Sequence, residues 1–409
     1  MDRKIRVAFV KYCGLSSGGT EKFLQTIAAN LDKSRFEVDY FYTEPARIIG
    51  EGINHNGTDI VRADYLRKHG VNIIEVKLDA VDLTKRTYPW VSTDFFDVFN
   101  ENDYDLIQTG RGGYPEYPFT KICNTPIVDS LHLLAGVDNQ YNISRVIHIT
   151  DWSRRIWERK GGDKMRSVVI YHPMEIQAVP FHSLKEELGL VGKTVFGFHQ
   201  RNDRNIFSEI PLAAYKKIEN SNTHFILLGG SDKHREQARA LEISNITFLD
   251  YTSDISRIYS FLTTLDVYAH GRKDGEVNST AMAEALHFGL PIISHTSDIH
   301  NGHVECISNA GVVVNTVDEY AEVIHKLQND TDYLTTLSEN AKVRFNEKYD
   351  LQTQIKLIED LYTSVVKDPF PHPLRRKITA WRLRRFLVYI PMKIVSLTIK
   401  KIQKLIKSI

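Results

Sequence analysis

The sequence predicts an α/β protein with two Rossmann-like domains, each a doubly wound parallel sheet, facing each other across a cleft. Three observations predict this fold class. The chain has 409 residues, which is more than one ordinary core accommodates. Short apolar runs alternate with segments of helical spacing, as they do when helices cover both faces of a parallel sheet. A proline-containing break divides this alternation into two series.

The apolar runs are the predicted strands, and they fall into two groups. The first group comprises residues 7–10, 38–42, 73–76, 106–108, 127–128, 146–149 and 168–170. The second group comprises residues 195–198, 225–228, 246–249, 267–269, 292–294 and 312–314. Helical spacing between them is clearest in two apolar sets, namely Phe23, Ile27 and Leu31, and Leu212, Tyr215 and Ile218.

The break near Pro173 sets the predicted domain boundaries. Residues 1–173 form the first domain and residues 174–350 the second. Apolar residues at helical spacing predict one helix over residues 351–368, which we expect to cross back to the first domain. The last segment, residues 369–409, begins with three prolines and continues as a basic amphipathic tail. Ligands of doubly wound sheets bind at the carboxyl ends of the strands, so the cleft between the domains is the predicted site.

Composition narrows the class of protein. Hydrophobic residues make up 42% of the chain and charged residues 25%, which is typical of a soluble globular protein. The three cysteines, Cys13, Cys123 and Cys306, lie far apart, which is neither a disulfide framework nor a zinc-binding spacing and fits a reducing compartment. We find no signal-peptide pattern and no run near the roughly 20 apolar residues that span a bilayer. The sequence therefore predicts a cytoplasmic protein.

The tail differs in charge from the rest of the chain. Residues 374–409 contain 11 basic residues and no acidic residue, while the chain as a whole has a net charge of +1. Its second half has the pattern of a basic amphipathic helix, which favours peripheral contact with an anionic membrane surface. A helix packed on the acidic body is the alternative. The high apolar content of residues 374–409 makes nucleic acid a less favoured partner for this tail.

A glycine loop follows the first predicted strand. Gly18 and Gly19 stand between that strand and a helix, where backbone N–H groups can approach an anion at the positive end of the helix dipole. The spacing is not that of a dinucleotide-binding fingerprint. Taken alone, the pair is better explained by a tight turn that needs glycine, and the anion-binding interpretation depends on the other residues of the site.

The most informative segment is residues 273–291. Asn278 or Ser279 is a natural N-cap, and the helix is expected to stop at Gly289. Backbone N–H groups of residues 279–281 would point into the cleft, an arrangement that suits a diphosphate.

Two glutamates flank this predicted helix start. Glu284 lies about 7–8 Å further along the axis than the first N–H groups, within reach of a ribose on the same diphosphate. Glu276 lies in the loop ahead of the helix. A structural interpretation, with Glu284 capping a neighbouring strand and Glu276 a loop acid, remains open.

This segment resembles the E-x7-E region of retaining glycosyltransferases of the GT-B fold, family 4, also called glycosyl transferases group 1. The resemblance implies that Glu276 lies by the donor sugar and that Glu284 binds the ribose. It also places Asn278, Ser279 and Thr280 at the donor. The sequence departs from the family in one place, where Val277-Asn278-Ser279 replaces the usual Gly-Phe-Gly, so donor-sugar contacts are expected to differ.

Further positions follow the same resemblance. Gly18 and Gly19 match the family's first glycine loop. Arg201 matches the arginine that holds the donor diphosphate, and Arg204 stands for the following lysine at a shortened spacing. His132 matches the histidine near the donor sugar and the attacking hydroxyl. Taken alone, the arginines could belong to a solvated loop and His132 could be a packed side chain.

The resemblance implies a hexosyltransferase, retaining and without a metal or other cofactor. It would move a sugar from a UDP-sugar or GDP-sugar donor, held by the second domain, to a glycan or lipid-linked acceptor beside the first domain. The loop 111–117 is expected on the acceptor side. Three alternatives stay open: a UDP-sugar 2-epimerase-like enzyme, a degenerate protein that only binds sugar nucleotide, and a metal-dependent transferase using Asp103 and Asp105.

Overall fold

The protein is described by a computed structural model over residues 3–16, 18–43, 60–77, 94–134 and 136–370. Its first sheet has seven strands, all parallel, in the order β3-β2-β1-β4-β5-β6-β7. These strands are β1 (Ile5–Lys11), β2 (Phe36–Tyr42), β3 (Asn72–Glu75), β4 (Leu106–Arg111), β5 (Ile127–Leu131), β6 (Ile143–His148) and β7 (Ser167–Val169). The order reverses direction beside β1, so this sheet is doubly wound.

The second sheet has six parallel strands in the order β10-β9-β8-β11-β13-β15. A separate pair of two-residue strands, β12 and β14, lies beside it. The strands are β8 (Thr194–Gln200), β9 (Thr223–Gly229), β10 (Ile246–Leu249), β11 (Val267–Ala269), β12 (Gly275–Glu276), β13 (Ile292–His295), β14 (His300–Asn301) and β15 (Gly311–Val314). Every predicted strand is present, but β12 and β14 were not predicted because two residues show no periodicity.

Helices connect the strands and cover both sheets. They are α1 (Gly19–Asn30), α2 (Ile60–Lys68), α3 (Phe95–Val98), α4 (Asp151–Arg159), α5 (Ile210–Ile218), α6 (Asp232–Ala240), α7 (Ile255–Leu262), α8 (Thr280–His287), α9 (Gly302–Ile307), α10 (Val317–Asn329), α11 (Thr331–Lys348) and α12 (Leu351–Lys367). The apolar repeat of α1 is buried, with Phe23 and Ile27 fully inaccessible, which is the source of its helical pattern. Each sheet has its own apolar core.

The chain crosses between the sheets twice. The first crossing follows β7 and contains Met174, and the second precedes α12 and contains Tyr349. The two crossings are joined by a hydrogen bond from the backbone N–H of Met174 to the carbonyl of Tyr349 at 2.9 Å. Helix α12 then packs in the core of the first sheet, where the Tyr362 hydroxyl donates to Gln108 Oε1 at 2.8 Å. The domain boundaries near residues 173 and 350 stay a prediction. The basic tail from residue 371 onward lies outside the described residues, and none of the helices described is long and apolar enough to cross a membrane.

Candidate functional site

Polar side chains from the carboxyl ends of both sheets lie close together. On the first sheet, α1 begins after β1 and His132 follows β5. On the second sheet, His199 is the second-to-last residue of β8, and Glu284 lies in α8. Lys22 of α1 is near enough to Glu284 for its charge to favour the carboxylate. The candidate site therefore lies between the two sheets, at the carboxyl edge where such folds bind ligands.

The glycine loop forms the start of α1. Gly18 is the N-cap, and a Cβ on it would come within 2.0 Å of the Glu21 carboxylate, so the neighbouring side chain explains this glycine. Gly19 is exposed, and a Cβ added there would meet no atom of the described residues within 4 Å. Protein contacts therefore give no reason for glycine at position 19. Open space beside backbone N–H groups at a helix start is what an incoming anion requires.

Two histidines lie next to this loop. The Nε2 of His172 is 3.3 Å from the carbonyl oxygen of Gly19, and the rings of His132 and His172 both contact the edge of Phe23, at centroid distances of 4.8 and 5.3 Å. Burial, with Lys22 nearby, lowers the pKa of His172 to about 4. Burial, followed by His172 and Lys11, lowers the pKa of His132 well below its ordinary value. Both imidazoles are therefore neutral at pH 7.

His132 has an unused hydrogen-bonding atom. Its Nε2 is buried and has no hydrogen-bond partner among the residues described. A buried polar atom without a partner is costly, and it calls for an explanation such as a catalytic role or a bound water or ligand. A substrate hydroxyl could supply the missing bond.

Glu276 is held in the β12 strand by several neighbours. Its carboxylate accepts from Arg272 at 3.1 Å and lies 3.8 Å from His270 Nε2, while its backbone N–H donates to His303 Nδ1 at 3.3 Å. Burial opposes ionisation of Glu276, but His270, Arg272 and Ser279 outweigh it and lower its pKa to about 2. Glu276 is therefore an oriented carboxylate, able to accept hydrogen bonds from hydroxyl groups.

The loop into α8 follows the prediction in part. Ser279 is the N-cap, and its hydroxyl accepts from the Met282 N–H at 3.2 Å. Thr280 begins the helix, as expected. The side-chain oxygen of Asn278, in contrast, accepts from the Tyr349 hydroxyl at 3.2 Å and from the Cys306 thiol at 3.3 Å. Asn278 therefore uses this oxygen within its own domain, and only its amide N–H groups and backbone are available to a ligand.

Glu284 occupies a buried position one turn into α8. Its exposed fraction is 8%, and its carboxylate lies 3.2 Å from Nε2 of His199. Burial opposes ionisation, but the hydrogen bond from His199 and the charges of His199 and Lys22 keep the pKa of Glu284 below its ordinary range. The interpretation of Glu284 as a cap for a neighbouring strand finds no support in these contacts, which are all made by side chains.

Arg201 and Arg204 have exposed side chains that pair with nearby carboxylates. Their side chains are 61% and 56% exposed. Arg201 pairs with Asp203 at 3.0 Å, and Arg204 lies 3.3 Å from Asp232. Within the described part of the chain, neither guanidinium forms an ion pair with Glu276 or Glu284. The predicted diphosphate-binding role of both arginines stays a prediction.

Sequence reasoning missed the residues that hold the glutamates, namely Lys22, His199, His270, Arg272 and His303. A signal was available for two of them, because His199 and His270 stand at strand carboxyl ends, as His132 does. The partners of Glu284 could not be read from local spacing, whereas Arg272 and His270 precede Glu276 by four and six residues in the same segment.

The acidic pair at Asp103 and Asp105 lies elsewhere. Both precede β4, at the amino edge of the first sheet and opposite the candidate site. Asp105 accepts from the Arg3 guanidinium at 2.6 and 2.9 Å and from the Arg6 N–H at 2.8 Å. These contacts give Asp105 a structural role.

Residues 198–344, which run from β8 into α11, match the family model described as Glycosyl transferases group 1. This match confirms the resemblance for the second domain. Comparison with curated protein sequences finds no match.

Solved structures share the fold of most of the chain. HepE of Anabaena, crystallised with UDP, is 19% identical with a TM-score of 0.67, and the alignment covers 88% of this chain and 100% of that one. Sucrose-phosphate synthase of Thermosynechococcus elongatus is 16% identical with a TM-score of 0.65, covering 88% and 99%. WaaG, a glycosyltransferase involved in lipopolysaccharide biosynthesis, is 15% identical with a TM-score of 0.57, covering 88% and 99%. The two-domain GT-B architecture is confirmed.

Proposed function

We propose that this protein is a glycosyltransferase that moves a sugar from a nucleotide-sugar donor to an acceptor in the cleft between the sheets. One observation carries the proposal. The buried, ionised Glu284 lies within the segment that matches glycosyl transferases group 1, and it faces the charge of Lys22 from the glycine-loop helix. A carboxylate in this position can accept both hydroxyl hydrogens of a ribose.

The donor is proposed to lie between the glycine loop and the start of α8. Its diphosphate would accept hydrogen bonds from the backbone N–H groups at Gly19 and at residues 279–281, where two helix dipoles present their positive ends. Gly19 supports this placement because none of the described residues occupies the space beside it. Glu276 would then receive hydroxyl groups of the donor sugar.

Arg201 and Arg204 are proposed to complete the diphosphate site after a change of partner. Each is now paired at the surface with a carboxylate. Exposed ion pairs of this kind contribute only about 0–1 kcal/mol, whereas a guanidinium can hold a phosphate through two hydrogen bonds. Exchange of Asp203 and Asp232 for phosphate is therefore favourable once the donor is present.

The proposed reaction is transfer with retention of configuration. The acceptor hydroxyl oxygen forms a bond to the anomeric carbon, the bond from that carbon to the diphosphate oxygen breaks, and the hydroxyl proton passes to the departing diphosphate on the same face. Neutral His132 would accept a hydrogen bond from a substrate hydroxyl. Fixed charges and helix N-termini would stabilise the leaving diphosphate, so we propose that no metal is required.

The classes of donor and acceptor are proposed from a similar solved structure and from the family resemblance. HepE crystallises with UDP-glucose, which supports a UDP-sugar donor ahead of a GDP-sugar donor. A glycan or lipid-linked acceptor follows from the family resemblance. We also propose a cytoplasmic location, with the basic residues of 374–409 available to contact an anionic membrane surface.

Nucleotide-dependent thermal stabilisation tests the proposal. The full chain is heated with UDP, GDP, ADP and their sugars, and Glu284→Ala and Arg201→Ala are compared with Glu322→Ala, an exposed glutamate of α10. We expect stabilisation by one nucleotide family that both site variants weaken and the control retains. Absence of stabilisation by every nucleotide would overturn the donor-site assignment.

A protein that only binds sugar nucleotide is the second candidate. The outward pairing of Arg201 and Arg204 favours it, because the leaving diphosphate would then lack two cations. Such a protein would be stabilised by donor but would release no nucleoside diphosphate in the presence of any acceptor.

A further inference from the structure

A second group of polar and aromatic side chains lies on the first sheet, beside the proposed donor site. Lys11 ends β1, Arg111 ends β4, and His132 directly follows β5. Because β4 pairs with both β1 and β5 in parallel register, these three positions lie side by side at the carboxyl edge. None of the donor contacts proposed above uses Lys11 or Arg111.

Arg111 fixes the backbone of the adjoining loop. Its side chain is 1% exposed and donates to Asp129 at 2.9 Å and to Asp138 at 3.0 Å. The same guanidinium donates to the carbonyl of Tyr114 at 3.1 Å. A buried, doubly paired arginine is a rigid anchor, so the loop that carries Tyr114 and Glu116 has a defined position.

Tyr114 presents an aromatic surface on this loop. The residue is 55% exposed, and a Cβ added to Gly136 would lie 2.6 Å from its ring, so part of the ring rests against the glycine backbone. Leu133, next to His132, is 62% exposed. Two exposed apolar side chains thus border the carboxyl edge of β4 and β5, where a ligand with an apolar face can be covered.

Hydrogen-bonding groups lie beside this apolar surface. The Lys11 ammonium donates to the Gly110 carbonyl at 3.0 Å and lies 3.2 Å from the Glu21 carboxylate. The Glu116 carboxylate accepts no hydrogen bond from the described residues. Burial raises the pKa of Glu116, while the charges of Arg111 and Lys11 act in the opposite direction. Glu116 is therefore a half-buried acceptor whose hydrogen bonds a ligand can satisfy.

The charges of this group select among ligands. Lys11 and Arg111 supply two positive charges, against four carboxylates, which belong to Glu21, Glu116, Asp129 and Asp138. The formal balance is negative, and His132 is neutral. A phosphate group placed here would meet a net negative charge, which is unfavourable. An uncharged ligand with many hydroxyl groups meets no such penalty.

We propose that this group is the acceptor subsite and that it binds the terminal sugar ring of an uncharged glycan. The C–H face of the ring would lie on Tyr114, and its hydroxyl groups would bind the Glu116 carboxylate and the Lys11 ammonium beside His132. This inference rests on the proposed glycosyltransferase function. It adds the acceptor class, which is a sugar hydroxyl and not a lipid phosphate.

The test measures acceptor use directly. The full chain is supplied with the nucleotide sugar that stabilises it most. Release of nucleoside diphosphate is followed with uncharged methyl glycosides and disaccharides, and in parallel with a short-chain polyprenyl phosphate. Tyr114→Ala and Glu116→Gln are compared with Tyr141→Ala, a partly exposed tyrosine that precedes β6 at the opposite edge of the sheet.

We expect an uncharged sugar to stimulate release. Tyr114→Ala and Glu116→Gln should each raise the acceptor KM at least about tenfold, a change of about 1.4 kcal/mol. Donor affinity should stay unchanged in both variants, and Tyr141→Ala should match the wild type.

Three outcomes would overturn the inference. Stimulation by polyprenyl phosphate alone would assign a different acceptor. An unchanged acceptor KM in both site variants would place the acceptor elsewhere. Donor binding with no response to any uncharged sugar would remove this inference while leaving the donor site intact, whereas absence of donor binding would remove the proposed function itself.

Discussion

The carboxylate of Glu284 lies 3.2 Å from Nε2 of His199, a contact that joins residues 85 positions apart in the sequence. The two residues belong to α8 and β8 of the second domain. Lys22 adds a charge interaction with Glu284 from the side of the glycine loop. His199 therefore positions the side chain that we propose binds the ribose.

Replacement of His199 by phenylalanine tests this positioning. The ring volume is retained, but the hydrogen bond to Glu284 is lost, and loss of a charge-assisted bond corresponds to about 1.5–3 kcal/mol. We expect nucleotide Kd to rise at least about tenfold by calorimetry. The exposed His325 gives a control, His325→Phe. Equal affinity of both variants would show that Glu284 needs no help from His199.

Gly19→Ala should separate binding from stability. A Cβ at this position meets none of the described residues within 4 Å, and alanine is more favourable than glycine in a helix, by up to about 1 kcal/mol in the helix interior. We expect the melting temperature to stay the same or rise, while nucleotide affinity falls because the methyl group occupies the phosphate path. Thermal unfolding with and without nucleotide measures both effects. Retained affinity would exclude Gly19 from the diphosphate site.

Arg272→Met should destabilise the protein in a pH-dependent manner. The pKa of Glu276 is about 2 in the folded protein against 4.5 ordinarily. This depressed pKa contributes about 3 kcal/mol of stability above pH ~4.5, which is lost as the pH falls toward 2. Without Arg272 the pKa of Glu276 rises, so part of that contribution disappears at neutral pH.

Urea unfolding at about pH 7 and pH 4 checks this expectation. The difference between Arg272→Met and the wild type should be larger at the higher pH. Arg272→Lys retains the charge and serves as the matched control. A destabilisation that is the same at both pH values would mean that Arg272 acts through packing alone.

Glu305 of α9 is expected to hold the two domains in one arrangement. Its carboxylate accepts from the backbone N–H groups of Asp151 and Trp152 at 2.9 and 2.7 Å, at the start of α4, and from the Tyr171 hydroxyl. Loss of a helix cap costs about 0.5–2 kcal/mol. Glu305→Ala should lower stability by about this amount and separate the unfolding of the domains in calorimetry. Glu305→Gln, which keeps one acceptor oxygen, should have a smaller effect.

His148 is expected to reduce stability in acid. Both of its ring nitrogens are buried without a hydrogen-bond partner among the residues described, and burial lowers its pKa to about 4. In the unfolded chain His148 becomes protonated near pH 6.5, whereas in the folded chain it stays neutral down to about pH 4. His148 therefore has no effect of this kind on the free energy of unfolding above pH ~6.5, and it lowers that free energy by up to about 3 kcal/mol as the pH falls to 4.

His148→Leu should remove this dependence on pH. We expect the variant to equal or exceed the wild type in stability at about pH 5 in urea unfolding, with a shallower decline below about pH 6.5. His325→Leu, on an exposed face of α10, is the control. An unchanged decline in His148→Leu would assign the acid sensitivity to other buried histidines, such as His172.

Local pattern was sufficient for the strands and for the two loops of the site. Buried strands such as β9 and β13 appear in the sequence as short apolar runs because both faces of a parallel sheet are covered. The start of α8 was predictable because Ser279 caps the helix through its own side chain, three residues from its partner. β12 and β14 escaped prediction because each is only two residues long.

The sequence by itself determined the two-sheet architecture, the glycine loop and the two glutamates, since each depends on residues close together in the chain. Only the tertiary structure decided which side chains hold those glutamates and where Arg201 and Arg204 point. His199 meets Glu284 because strand order brings the carboxyl ends of β8 and β11 together, whereas Arg272 and Glu276 are only four residues apart and meet within one segment. Strand order arises from the packing of whole helices and sheets, so it cannot be predicted from the spacing of residues within one segment.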